Sequence, residues 1–333
     1  MSEPLLEVKD LHVEFPTRRG TLTAVDGISF SIAPGEVLGV VGESGAGKSL
    51  TGMAVIGLLE PPGRIADGEI RLEGRRIDTL PYEEMRRIRG RRIGAIFQDP
   101  LTSLNPLYTI GDQLVETILT HLEISPQQAR SRALALLGEV GIPAAESRFD
   151  HYPHQFSGGM RQRVVIALAI CAEPRLIVAD EPTTALDVSI QAQIITLLKR
   201  LARDHGTAVL LITHDMGVIA ETADRVAVMY AGRIVEIGPV REVIHAPRHP
   251  YSVGLMGSIP KIRERDASGA GKHGRPRLIQ IEGSMPRLNA IPSGCAFHPR
   301  CPKRFEPCDR ERPELFAAGA NRTACWLYGE RNR

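Results

Sequence analysis

The chain of 333 residues is 43% hydrophobic and carries 41 Lys and Arg against 39 Asp and Glu, the composition of an ordinary soluble globular protein and not of a disordered chain or a disulfide-stapled miniprotein. Its longest apolar stretch, the nine residues from Val164 to Ala172, falls well short of the about 20 that a membrane-spanning helix needs. The start, Met1-Ser2-Glu3-Pro4, lacks the basic and apolar regions of a secretory signal, so the expected compartment is the cytosol.

Residues 5–15 and 21–32 alternate apolar and polar around Gly20, which predicts a pair of antiparallel strands. The dense run Val37-Leu38-Gly39-Val40-Val41 predicts a buried central strand. It leads directly into Gly42-Glu43-Ser44-Gly45-Ala46-Gly47-Lys48-Ser49, which fits G-x-x-x-x-G-K-[ST]. In this pattern the glycines let backbone N–H groups curl around phosphate oxygens, and the helix that follows turns its positive end to the anion. Lys48 then holds the β and γ phosphates of a nucleotide such as ATP, and the Ser49 hydroxyl ligates Mg²⁺. Gly42, Ser44, Gly45 and Gly47 complete the candidate phosphate cradle.

Short apolar strands recur from Ile93 to Phe97, Leu176 to Ala179 and Ala208 to Thr213, with helical patterns between them, which predicts an α/β parallel sheet. Residues 100–172 read as a helical insertion. Within it Ser125-Pro126-Gln127-Gln128 combines an N-cap, a proline in the first turn and a capping-box Gln, and Gly141 and Pro143 close the helix. The strand from Leu176 ends in Asp180-Glu181. Alone, an acidic pair at a strand end is usually a solvated turn; beside a phosphate loop, Asp180 is placed to hold Mg²⁺ and Glu181 to orient and deprotonate an attacking water. Gln98 and His214 also follow predicted strands, which brings them to the same sheet edge. A helix is predicted from an N-cap at Asp187 to Gly206, a hairpin over 226–238 turning at Ala231-Gly232, and a flexible linker over 261–277.

Charge and cysteine divide the chain. Residues 1–260 carry 26 basic and 31 acidic side chains, whereas 261–333 carry 15 and 8. Acids and prolines interrupt the basic tail and no RNA-binding or helix-turn-helix signature accompanies it, so a solvated face or proximity to anionic lipid explains it better than nucleic acid. Cys171 lies in an apolar helix and reads as a packing residue. Cys295, Cys301, Cys308 and Cys325 fall within the last 39 residues with spacing C-x5-C-x6-C-x16-C. In a reducing compartment four such cysteines suggest a metal site more than disulfides, and four thiolates suit Zn²⁺ or an iron-sulfur cluster. The spacing is not the short C-x2-C knuckle usual for zinc.

Phe156-Ser157-Gly158-Gly159-Met160-Arg161-Gln162-Arg163 resembles the signature sequence of ABC-transporter ATPases. Ser157 and the two glycines make a second anion-binding helix end, and the resemblance implies that Ser157, Gly158 and Gly159 bind the γ phosphate of ATP held by a partner subunit. It also implies a Q-loop glutamine at Gln98 that helps hold Mg²⁺, a D-loop Asp187 in Ala185-Leu186-Asp187, a switch histidine at His214 and an adenine-stacking aromatic at Phe15, where a strand-core role is the alternative. Met160 stands where the family usually has Gln, a change that leaves Ser157 and the glycines in place but would weaken polar contacts to the nucleotide.

The segments from Phe97 to Pro106, Asp180 to Asp187 and Pro247-Arg248-His249-Pro250-Tyr251, with the cysteine-bearing tail, resemble the ATPase subunits of dipeptide and oligopeptide importers. The implied fold is the α/β P-loop NTPase of ABC ATPase type, a RecA-like core with an antiparallel β subdomain and a helical insertion. The ATPase domain would occupy 1–260, with the helical subdomain at about 100–172, and the linker and cysteine-containing extension 261–333. For the four cysteines the resemblance favours [4Fe-4S] over Zn²⁺. The implied partners are a second ABC ATPase subunit, with a heterodimer preferred to a homodimer, two transmembrane permease subunits and an extracytoplasmic solute-binding protein, the chain itself lying on the cytoplasmic face of the cell membrane. Two other readings fit less well. A soluble ABC-type ATPase acting on ribosomes or DNA usually has two cassettes or a coiled-coil insertion, and a regulatory subunit without turnover would have lost Glu181 or His214.

Overall fold

A computed structural model describes residues 3–184, 186–258 and 280–329; the linker expected at 261–277 lies outside the described residues. In chain order the elements begin with β1 (Leu6–Thr17), β2 (Gly20–Ile32), β3 (Val37–Val41), α1 (Lys48–Ile56), β4 (Arg64–Leu72), β5 (Arg75–Arg76), α2 (Tyr82–Ile88) and β6 (Ile93–Ile96). The helical insertion follows, with α3 (Pro100–Ser103), α4 (Ile110–His121), α5 (Pro126–Glu139), α6 (Ala145–Arg148) and α7 (Gly158–Ile170). Next come β7 (Leu176–Asp180), α8 (Val188–His205), β8 (Ala208–Ile212), α9 (Met216–Thr222), β9 (Arg225–Tyr230), β10 (Arg233–Pro239), α10 (Val240–His245) and α11 (Pro250–Gly257). The extension contributes β11 (Phe316–Ala318) and β12 (Asn321–Thr323).

The central sheet has the order β11-β12-β10-β9-β3-β8-β7-β6, with β6, β7, β8, β3 and β9 parallel. Its middle strands are apolar at nearly every position because both faces are covered. Leu38 and Val40 of β3, Leu176 and Val178 of β7, and Leu210 and Ile212 of β8 enter one core, shared with β1, β2 and α1. Val37 and Val41, Ile177 and Ala179, and Val209 and Leu211 enter the other, shared with α4, α5, α7, α8 and α9. Each large side chain so buried contributes roughly 1.5–3 kcal/mol.

The antiparallel pair β1–β2 forms as the alternation predicts, but it belongs to a four-stranded sheet of order β2-β1-β4-β5. In the insertion, Ser125 and Gln128 make the expected reciprocal cap, Gln128 N–H to Ser125 Oγ at 3.3 Å and Ser125 N–H to Gln128 Oε1 at 2.9 Å. The hairpin turns at Ala231 and Gly232, both left-handed at φ 47° and 79°, the geometry of a tight turn between antiparallel strands.

Beyond residue 260 the chain returns to the sheet. β12 pairs antiparallel with β10 through Glu236↔Thr323 and Ile237↔Arg322, and β11 adds outside it. The two strands cover an edge of β10 that would otherwise offer unpaired backbone groups. A boundary at 260 therefore does not separate two independent units. Glu236, fully buried, fastens the junction: its carboxylate accepts the N–H groups of Arg248 at 2.8 Å and His249 at 2.9 Å and the Asn321 side-chain amide at 2.8 Å. Nor is the basic tail wholly a solvated face, since Arg312 pairs with Asp26 at 3.0 Å and Arg300 with Glu43 at 3.1 Å.

Candidate functional site

The loop after β3 passes so close to its neighbours at two glycines that a side chain is excluded there. A Cβ on Gly42 would meet the Met229 carbonyl oxygen at 2.2 Å, and one on Gly47 the Ala24 carbonyl oxygen at 2.8 Å. Gly47, left-handed at φ 98°, is the N-cap of α1 and offers no side-chain cap, so the first N–H groups of the helix remain for an anion. Lys48 is 6% exposed, and its Nζ donates to the carbonyls of Gly42 at 2.9 Å and Glu43 at 3.0 Å. Burial lowers its pKa, against the attraction of Glu181, Asp180 and Glu43. An incoming phosphate exchanges these carbonyl contacts for charge-assisted ones. The loop opens on a cavity of 710 Å³ bounded by Ser44 to Leu50, Gln98, Glu181, Thr184 and His214, within the roughly 300–1,000 Å³ of small-molecule sites.

Glu181 lines the cavity, and Asp180 stands behind Ser49. Asp180 Oδ1 accepts a hydrogen bond from Ser49 Oγ at 3.1 Å, and burial raises the Asp180 pKa against that bond. Glu181 sits in the left-handed region at φ 47° with its N–H bonded to the Ile212 carbonyl at 2.8 Å; a non-glycine residue held so is backbone strain of about 1–3 kcal/mol. Its carboxylate accepts from Thr184 Oγ1 at 2.8 Å, His214 Nδ1 at 3.1 Å and Gln98 Nε2 at 3.3 Å. Burial pushes this carboxyl up, but the His214 and Thr184 hydrogen bonds and the charges of His214 and Lys48 outweigh it, so the net pKa is below the ordinary value and the group is ionised at neutral pH. Ionised and aimed by three donors, it can accept a proton from a water at the phosphate end.

The other expected residues lie apart. Ser157 caps α7, its Oγ accepting the Met160 N–H at 3.3 Å, and remains exposed; Gly158 and Gly159 pack toward Leu186 and Ile190 at the start of α8. Asp187 is exposed at the N-cap of α8, beside Val188 at 82% exposure. None of these lines the cavity. Phe15 does not line it either: the ring packs against the β1–β2–β4 core, close to the Gly63 backbone. Met160 is turned into the helical core, its sulfur accepting from Arg148 at 3.4 Å. Thr184, Leu288 and Glu43 are site residues that sequence reasoning did not single out. Thr184 lay inside a motif already noted, while Leu288 reaches the cavity wall from the extension with no local signal.

All five cysteines are free. Cys171 is buried, its thiol pushed up to about 12 by burial. Cys295, Cys301, Cys308 and Cys325 gather in one neighbourhood: the Cys295 N–H bonds to the Cys308 carbonyl at 2.8 Å, and Cys325 lies within electrostatic range of the other three. Burial, then mutual repulsion, raises the Cys295 thiol to about 11 and the Cys325 thiol to about 12. The expectation of a formed metal site is not met: among the described residues no three His, Cys, Asp or Glu side chains are grouped to hold a metal ion. A single tetrahedral Zn²⁺, with bonds of about 2.3 Å, requires that closer grouping.

The family described as ABC transporter matches residues 25–184, and that described as oligopeptide/dipeptide transporter, C-terminal region, matches residues 235–308. The dipeptide transport ATP-binding protein DppD of Bacillus subtilis is 48% identical over 99% of this chain and 96% of its own length. The oligopeptide transport ATP-binding protein OppD of Salmonella typhimurium is 48% identical over 97% of this chain and 93% of its own. A solved dimeric ATP-binding cassette, in a post-hydrolysis state bound to ADP and Pi, superposes with a TM-score of 0.64 at 28% identity, over 71% of this chain and 99% of that one.

Proposed function

Because the chain belongs to the ABC transporter family, in its dipeptide and oligopeptide branch, we propose that it is the ATP-hydrolysing subunit of a multisubunit peptide importer. The observation that carries the reading is the meeting of Lys48, Ser49, Glu181, Gln98 and His214 around one cavity, with Asp180 hydrogen-bonded to Ser49. Lys48 and the N-terminus of α1 bind the β and γ phosphates. Ser49, Asp180 and Gln98 would hold Mg²⁺, which supplies positive charge to the phosphate oxygens. Glu181 orients the attacking water and takes its proton; the bond from the γ phosphorus to the bridging oxygen breaks, leaving ADP and phosphate. His214 and Thr184 hold the Glu181 carboxylate toward the phosphate end.

Ser157, Gly158 and Gly159 complete the site of a partner subunit, a role supported by the exposure of Ser157 and the separation of all three from this chain's own cavity. The preferred partner is a related second ATP-binding subunit, with a homodimer as the other arrangement. Among the described residues no helix is long and apolar enough to cross a membrane. By likeness to the peptide-transport ATP-binding proteins, the subunit works peripherally on the cytoplasmic face, against two permease subunits supplied with peptide by an extracytoplasmic binding protein. A ribosomal or DNA-directed ATPase is disfavoured by the match of residues 235–308 to the peptide-transporter region. Uptake of labelled di- and oligopeptides by cells lacking this subunit tests the reading. The chain should restore uptake, and recovery of ribosome or DNA functions without peptide uptake would contradict it.

For the four cysteines of the extension we propose ligation of a [4Fe-4S] cluster. The support is four thiols in one neighbourhood, with the Cys295 N–H bonded to the Cys308 carbonyl and Cys325 within electrostatic range of the other three. Such a cluster would supply cross-linking of three loops in a region with little core. Because burial raises the Cys295, Cys301 and Cys325 thiols, loading would release protons from them and tighten as pH rises. Anaerobically purified protein should contain iron and acid-labile sulfide, lost on Cys301→Ser; zinc without iron would contradict the assignment.

A further inference from the structure

The phosphate loop is held from two sides. On the inside, Lys48 binds the carbonyls of Gly42 and Glu43. On the outside, the Glu43 N–H donates to Tyr251 Oη at 2.9 Å, and the Glu43 carboxylate accepts from Arg300 Nη1 at 3.1 and 3.3 Å. Arg300 belongs to the extension, one residue before Cys301. Its side chain is 9% exposed and its other donors are occupied: Nε by the Glu282 carbonyl at 2.8 Å, Nη2 by the carbonyls of Ile281 and Gly283 at 3.4 and 3.3 Å, and Nη1 also by Tyr230 Oη at 3.3 Å. The guanidinium lies 5.8 Å from the Tyr230 ring centre and 5.9 Å from that of Phe297. Those two rings and Tyr251, all buried, pack on one another at 4.8–5.4 Å.

The Arg300 side chain is nearly withdrawn from water while the Glu43 carboxylate is 29% exposed, so removing the carboxylate strands the more buried charge. Glu43 therefore cannot drift without leaving the Arg300 charge without its carboxylate, with Tyr230 Oη the remaining partner of Nη1. When Lys48 turns to the phosphates of a nucleotide, the carbonyls of Gly42 and Glu43 lose their inner partner. The outer contacts then keep the loop in shape, so that binding does not have to order it. Leu288, also from the extension, adds an apolar wall to the same cavity near Ala24.

We propose that the extension is a working part of the nucleotide site, with Arg300 a positioning residue that holds the phosphate loop in its anion-binding shape through Glu43. The inference rests on the reading of this cavity as the ATP site. It extends that reading to a segment outside the phosphate-loop, acidic and signature motifs.

The test is titration of the full-length chain with a fluorescent ATP analogue, for wild type, Glu43→Gln, Arg300→Lys and the double variant, with melting temperatures measured in parallel. Lys48→Ala reports on the cavity itself: if it binds as wild type does, the ATP-site reading fails, whatever Arg300 does. With that control passed, each single variant should bind about tenfold more weakly, as expected when a positioning contact is lost. The double variant should be no worse than either single one, since both remove the same contact. In ATP hydrolysis KM should rise by more than kcat falls. Wild-type affinity in both single variants, additive losses in the double variant, or a lower melting temperature with unchanged KM would overturn the proposal.

Discussion

Two helices of this chain, α1 and α7, both start beside glycines, before the N-terminus in α1 and within the first turn in α7, and are furnished differently. The start of α1 carries no side-chain cap, looks into a cavity, and has a buried lysine and the two carboxylates at the end of β7 beside it. The start of α7 is capped by its own exposed Ser157, and its two half-buried glycines face the beginning of α8. The first arrangement has what is needed to hold a phosphate and activate a water, whereas the second has donors and no base. On the proposed reading the chain carries the hydrolytic half of one ATP site and the donor half of another, and its work depends on a facing subunit.

That contrast is most easily broken at α1. Lys48→Ala should reduce ATP affinity by about 100-fold or more, because it removes the buried charge that meets the phosphates; equilibrium binding measures it, and near-normal affinity would dissolve the distinction between the two ends. At α7, Ser157→Arg should leave ATP binding to the isolated chain unchanged but lower hydrolysis by the assembled transporter by about 100-fold, the usual cost of losing a donor to the transition-state charge. Equal loss of binding in the isolated chain would place Ser157 at the chain's own nucleotide after all.

A smaller effect sharpens the account of Glu181. Thr184→Val removes one of its three donors, and turnover should fall by about threefold to tenfold, the loss of one hydrogen bond to a charged group. The sign of the pH effect follows from the same bond. Thr184 helps hold the Glu181 pKa below its ordinary value, so its removal raises that pKa, and the acid limb of the turnover profile should move to higher pH. A limb moved the other way, or unmoved, would mean that Glu181 is not the titrating base.

The cassette was legible because its signals are local. β3, β7 and β8 are apolar on both faces, the phosphate loop follows its strand directly, and the acidic pair sits at a strand end. β4 was not read: it is half exposed and carries Arg64, Asp67, Glu69 and Arg71, and only its pairing with β1 makes it a strand. β11 and β12 are three residues each, too short for any periodicity, and exist because β10 offers an edge. Arg300 looked like one more charge in a basic tail. Its burial against Glu43 arises from contacts 257 positions apart in sequence, which no spacing rule reaches. Phe15 shows the reverse case, a residue whose resemblance pointed to the nucleotide while its ring packs in the strand core.

The central claim is that Glu181, at the end of β7, performs hydrolysis of ATP bound on α1. The most direct test is the nucleotide recovered from this chain in the assembled transporter after incubation of wild type and Glu181→Gln with labelled ATP. Loss of a general base costs about 10²–10⁴-fold, so the variant should retain bound ATP and yield almost no ADP, while wild type yields ADP. ADP formed at the wild-type rate in the Glu181→Gln subunit would contradict the account.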